Sequence, residues 1–145
     1  MTGRILATIL LLSAALGSAA PVQAATAGPD TPAIFGVWRN PKNSVHVEIR
    51  RCGEAACGYV VWASAKAKAD SLEGSGKELV GMELLHDLSK TDSGSWKGKV
   101  FVPDLNITLT GIAKPIDANQ LEAKGCVLGR LICKGQTWTR VAAGQ

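Results

Sequence analysis

The clearest hydrophobic-polar pattern in the chain lies between Ser44 and Arg51, where Val45, Val47 and Ile49 alternate with His46, Glu48 and Arg50. A period of two puts one face in a core and the other in water, as an antiparallel sheet requires. The same alternation returns as Ile107, Leu109 and Gly111 against Thr108 and Thr110. Strand-forming residues bounded by turn chemistry predict eight strands in all. They fall near Ile34–Arg39, Ser44–Arg51, Cys57–Ala63, Leu79–Leu88, Ser95–Val102, Asn106–Ala113, Gln120–Val127 and Arg130–Arg140. Turns are marked by Asn40-Pro41-Lys42-Asn43, Asp92-Ser93-Gly94, Pro103-Asp104 and Asp117-Ala118-Asn119. The stretch Ser64–Lys77 breaks the rhythm; rich in Ala, Lys, Ser and Gly, it reads mainly as an exposed loop with room for a helical turn. Eight short strands on tight links predict an all-β fold, a small antiparallel up-and-down barrel, because closure removes every sheet edge. A barrel of this size is either filled by its own side chains or holds one small ligand.

The amino terminus follows a different pattern. Arg4 is the only charge before Asp30, and it precedes an unbroken, mostly apolar run from Ile5 to Leu16. Val22-Gln23-Ala24 then offers small residues at the −3 and −1 positions of a cleavage site. This order of basic, apolar and small-x-small segments predicts a secretory signal peptide over residues 1–24. The apolar run is too short to span a bilayer, which takes about 20 apolar residues. Cleavage leaves a flexible lead-in over 25–33 and one domain over 34–141, periplasmic or secreted, without stable membrane insertion and monomeric. One such domain supports a modest single core.

Charge adds little. The whole chain carries +4, of which Arg4 leaves with the signal. The remaining basic residues (Arg50, Arg51, Lys66, Lys68, Lys97, Lys99 among them) are scattered, whereas a nucleic-acid surface clusters them with aromatics. Nucleic acid is therefore not an expected partner.

Cys52, Cys57, Cys126 and Cys133 all lie in the mature part. An even number in an exported chain reads as disulfides, with three possible pairings. A tight turn centred on Glu54-Ala55 opposes Cys52 to Cys57, and one on Gly129-Arg130 opposes Cys126 to Cys133. Opposed hairpin residues stand close enough to bridge, so local pairing is expected. Each closed loop is short, worth about 2 kcal/mol in the chain-entropy model. Neither pair has the C-x2-C spacing of a zinc site.

Taken together, Gly36-Val37-Trp38, Cys57-Gly58-Tyr59-Val60-Val61-Trp62, Gly81-Met82-Glu83-Leu84-Leu85, Trp96-Lys97-Gly98-Lys99-Val100-Phe101-Val102-Pro103, Gly125-Cys126-Val127-Leu128-Gly129 and Gln136-Thr137-Trp138-Thr139-Arg140 resemble the exported bacterial domain of unknown function 2147. The resemblance implies a lipocalin-like fold over nearly the whole mature chain and brings no chemistry with it. In lipocalin-type barrels a Gly-x-Trp on the first strand lies near the last strand, beneath a basic residue. Trp38 and Arg140 take those parts here, a structural closure worth about 0.5–2 kcal/mol as a stacked cation.

No catalytic constellation is legible. His46 and His86, the two histidines, have neither H-x-H nor H-x3-H spacing, so no metal site and no cofactor is expected. No serine sits in a Gly-x-Ser-x-Gly elbow. The candidates for ligand binding are the strand aromatics Tyr59, Trp62, Trp96 and Phe101, with Trp62 placed at a barrel mouth beside the long loop. Two functions follow: a carrier of a small hydrophobic or amphipathic ligand, or a filled-barrel interaction or inhibitor module with an envelope protein as partner.

Overall fold

A computed structural model of the chain describes residues 33–128 and 131–142. The signal segment, most of the lead-in and the Gly129-Arg130 turn lie outside the described residues. Eight strands close into one barrel in chain order: β1 (Gly36–Arg39), β2 (Val45–Cys52), β3 (Ala55–Ala63), β4 (Glu83–Lys90), β5 (Trp96–Val102), β6 (Ile107–Pro115), β7 (Gln120–Val127) and β8 (Ile132–Arg140). Every neighbouring pair is antiparallel, and β1 returns to β8 to complete the ring. The alternation in β2 is realised as read: Val47 and Ile49 are buried, while Glu48 pairs with Arg50 outside at 3.4 Å.

Between β3 and β4 stands a helix, α1 (Ala65–Ser75), where the sequence suggested a loop. Its signals are local. Ser64 caps the first turn by accepting from the Ala67 N–H, Lys66 pairs with Asp70 one turn on at 2.8 Å, and Gly76 ends the helix at φ 70°. An apolar stripe is missing, which hid the helix: Ser71 is its one buried residue, and Leu72 is exposed. The start of β4 also shifts, from the expected Leu79 to Glu83, because Gly81 turns the chain at φ 87° first.

Both disulfides are local, Cys52–Cys57 and Cys126–Cys133. The second joins directly opposed residues. The first does not. The turn centres on Gly53-Glu54, Cys52 faces Ala55 and Cys57 faces Arg50, so the bridge runs diagonally across the hairpin with Cα atoms 5.8 Å apart. Gly53, at φ 65°, moves the turn one residue earlier than Glu54-Ala55.

The two ends of the barrel differ. At one end, which we call the floor, Ile34 and Phe35 lead into β1 and the 52–55, 91–95 and 116–119 turns gather. At the other, the rim, are the 40–44 and 103–106 turns, Leu128, Leu131 and α1.

Candidate functional site

The floor is sealed by one arginine. β1 and β8 share only two registered pairs, Trp38↔Arg140 and Arg39↔Thr139, so the closing seam is short. Arg140 compensates with its side chain. Its guanidinium lies over the Trp38 ring at 4.1 Å, and Nε, Nη1 and Nη2 donate to the carbonyls of Ala118, Phe35 and Ala33, each at 2.6 Å. A planar five-donor fork is what such a spread of acceptors needs. Burial holds the Arg140 pKa below the usual arginine value. Trp38, fully buried, donates from Nε1 to the Ile34 carbonyl at 2.8 Å. Gly36 sits at φ 122°, and a Cβ there would strike Arg140 Nη1, so the glycine of the Gly-x-Trp motif makes room for the guanidinium.

Above this floor the barrel is hollow. An inner cavity of about 410 Å³ has Trp38 among its walls and is otherwise mostly apolar, with Ile49, Leu88, Leu109 and Ala123 around it. It reaches the rim, where Leu105, Ile107, Val127 and Ile132 line it while remaining exposed. A second cavity of about 510 Å³ lies beneath α1 and is more polar, lined by Asn40, Ser44, Ser64 and Ser71. Val47, Leu85, Val100, Val102, Gln136 and Trp138 line both, so the two spaces adjoin as one lumen. Each volume falls in the range of small-molecule sites, about 300–1,000 Å³.

α1 is held across the second cavity at both ends. The Ser64 N–H donates to the Ser44 carbonyl at 2.9 Å, and Gly74 meets the backbone of Pro103 and Asp104 so closely that a Cβ there would clash.

The four aromatics proposed as ligand contacts are not brought together. Tyr59 points outward under the Arg50 guanidinium at 4.3 Å, because its neighbours Gly58 and Val60 take the buried face. Trp62 is 44% exposed and stacks on His46 at 4.6 Å. Strict alternation from Val60 would turn it inward. A bulge opposite His46 and Val47 inserts Val61 and reverses the parity, so Trp62 lies on the outer wall and lines neither cavity. Trp96 is buried near the floor against Phe35, with ring centroids 6.2 Å apart, and also lines neither cavity. Phe101 alone lines the second cavity, with Lys77 Nζ 4.9 Å from its ring centroid.

The residues sequence reasoning passed over are on β8. Lys134, Gln136, Trp138 and Arg140 share one parity, and the first three line the lumen. Trp138 Nε1 is buried and, among the described residues, has no hydrogen-bond partner. Parity was the available signal: once Arg140 is assigned to the inner seam, Trp138 and Gln136 follow at two-residue steps.

His46 Nε2 donates to Asn43 Oδ1 at 2.7 Å on the outer face, and its pKa is lowered by burial first and by nearby Arg39 second. His86 Nδ1 lies 3.2 Å from Glu83. Among the described residues, no three His, Cys, Asp or Glu side chains converge as metal ligands, and no helix is long and apolar enough to cross a membrane.

With this geometry in view, the relationships of the chain can be placed. Residues 36–140 match the family described as uncharacterized protein conserved in bacteria, DUF2147. The chain belongs to this family. The matched span runs from Gly36, beneath the guanidinium, to Arg140 itself, so DUF2147 takes in the whole barrel and both partners of the seam. The fold also resembles protein HP1028 of Helicobacter pylori, described as a member of the lipocalin family. The TM-score is 0.59 at 20% identity, covering 75% of this chain and 83% of that one. No curated protein matches the sequence.

Proposed function

We propose that this DUF2147 protein is an exported carrier of a small hydrophobic or amphipathic molecule, held inside the barrel. The observation that carries the reading is the lumen: about 410 Å³ of mostly apolar space above a sealed floor, reaching an exposed apolar rim. Burying an apolar ligand there removes both surfaces from water, the dominant favourable term in such binding. Two disulfides favour an oxidising compartment, in line with the signal segment read from residues 1–24. The lipocalin-like fold is compatible with this role. The rival reading, an interaction module of the envelope, calls for a barrel packed by its own side chains, and the lumen speaks against it.

Native mass spectrometry of the full chain, exported and purified without detergent from the cells that make it, tests the reading. A discrete small-molecule adduct that organic extraction removes is the expected result. A bare mass, together with a co-purifying protein, would overturn it in favour of the interaction module.

A further inference from the structure

The closing seam of the barrel stops short of the rim. β1 pairs only with Arg140 and Thr139 at the end of β8. From Lys134 to Thr137 no described strand pairs with β8 on that side, and all four residues are exposed. Side chains one residue apart on a strand alternate, so Lys134 and Gln136 face inward with Trp138 and line the lumen. Across from them Lys42, in the 40–44 turn, lines the outer cavity together with Gln136.

The charges around the lumen are not balanced. Only two charged residues line the inner cavity, Lys124 and Lys134. Glu122 answers Lys124 at 2.9 Å, whereas Lys134 has no carboxylate partner among the described residues. Four line the outer cavity: Lys42, Lys66, Asp70 and Asp104. Both carboxylates act on Lys66, Asp70 through an ion pair at 2.8 Å and Asp104 through its field. Lys42 is left without a carboxylate partner among the described residues, as Lys134 is. An uncompensated ammonium beside low-dielectric walls attracts an anion more strongly than it would in open water.

We propose that the lumen takes a single-chain anionic amphiphile, its tail in the inner cavity and its head at the unpaired stretch of wall, where Lys134 meets it from β8 and Lys42 from the β1–β2 turn. The shared chemistry is a compact anionic head, which a free fatty acid and an alkyl phosphate both carry. A cationic head would have to compete with Lys66 for Asp70 and Asp104. The proposal rests on the lumen being a binding site.

Displacement of the fluorophore N-phenylnaphthylamine by decanoate, decyl phosphate, decanol and decylammonium, with one tail and four heads, tests it. The better of the two anions is expected to bind about fivefold tighter than decylammonium, the order of one ion pair at a water-exposed site, and to weaken with added salt. Whichever anion is tighter names the source, acid or phosphate. Lys134→Gln should remove most of that margin and leave decanol unchanged, and Lys134→Glu should reverse the preference. Lys134 is exposed, so both variants should melt as the wild type does. Binding of decanol together with an anion affinity that neither variant moves would overturn the anionic assignment and leave the carrier reading intact. Failure of all four probes to displace the fluorophore or to bind would overturn both.

Discussion

The floor of the barrel, at Trp38 and Arg140, and its rim, at Leu105, Leu128 and Leu131, are built in opposite ways. At the floor a fully buried indole, a guanidinium with three carbonyl acceptors and a glycine that clears space for it leave no polar group of that cluster unanswered. At the rim, Leu105 is 63%, Leu128 71% and Leu131 84% exposed, and Leu105 lines the lumen together with Val127 and Ile132, the neighbours of the other two. Large apolar side chains gathered at one edge of a domain mark a surface that meets something apolar. On the proposed carrier reading, stability and ligand access fall to different ends, so substitutions at each should report on different quantities.

The largest effect belongs to the floor. Trp38→Ala should cost about 3–5 kcal/mol of unfolding free energy, since it removes a fully buried indole and leaves Arg140 without its platform. Arg140→Ala should cost about 3 kcal/mol, through lost charge-assisted hydrogen bonds and stacking along the short β1–β8 seam. Urea melts measure both. Losses under about 1 kcal/mol would mean that the floor is not what holds the ring shut.

The disulfides sharpen the comparison, one at each end. Replacing either pair by serine should cost about 2 kcal/mol, because both closed loops are short. Only the Cys126–Cys133 change, beside the rim, should speed ligand release in stopped-flow displacement. Equal release from both variants would break the division of labour. Leu131→Ser should move stability by no more than about 0.5 kcal/mol, as an exposed side chain does, while slowing ligand capture.

The smallest effect is a pH dependence on the outer wall. His46 has a folded pKa below its ordinary 6.5, so the unfolded chain takes up the proton first. Its contribution to stability is present above that value and declines as the pH falls below it. His46→Gln should flatten this slope in melts taken across the mildly acidic range; an unchanged slope would place the titration elsewhere.

How much of this was legible beforehand varies by region. The strands were readable wherever alternation was strict, as at Val45–Ile49 and Ile107–Gly111, because burial of one face dictates the pattern. The seam came from the Gly-x-Trp resemblance rather than from periodicity. Trp62 was expected at a barrel mouth and lies on the outer wall because one bulge residue reverses every side chain beyond it, and pairing decides where bulges fall. Tyr59 and Trp96 were chosen for residue type, and type does not say which side of a wall a ring occupies. α1 was obscured because its helix rests on caps and an ion pair rather than on an apolar face.

The central claim, that the barrel is hollow and its interior is the site, is tested most directly by titrating the neutral apolar fluorophore N-phenylnaphthylamine into three proteins. Wild type and Val61→Ser, altered on the exposed outer wall, should show the same saturable single-site enhancement. Ala123→Trp, which projects an indole into the inner cavity, should lose it while remaining folded by circular dichroism. Undiminished single-site binding to folded Ala123→Trp would contradict the account, for the fluorophore would then be bound outside the lumen.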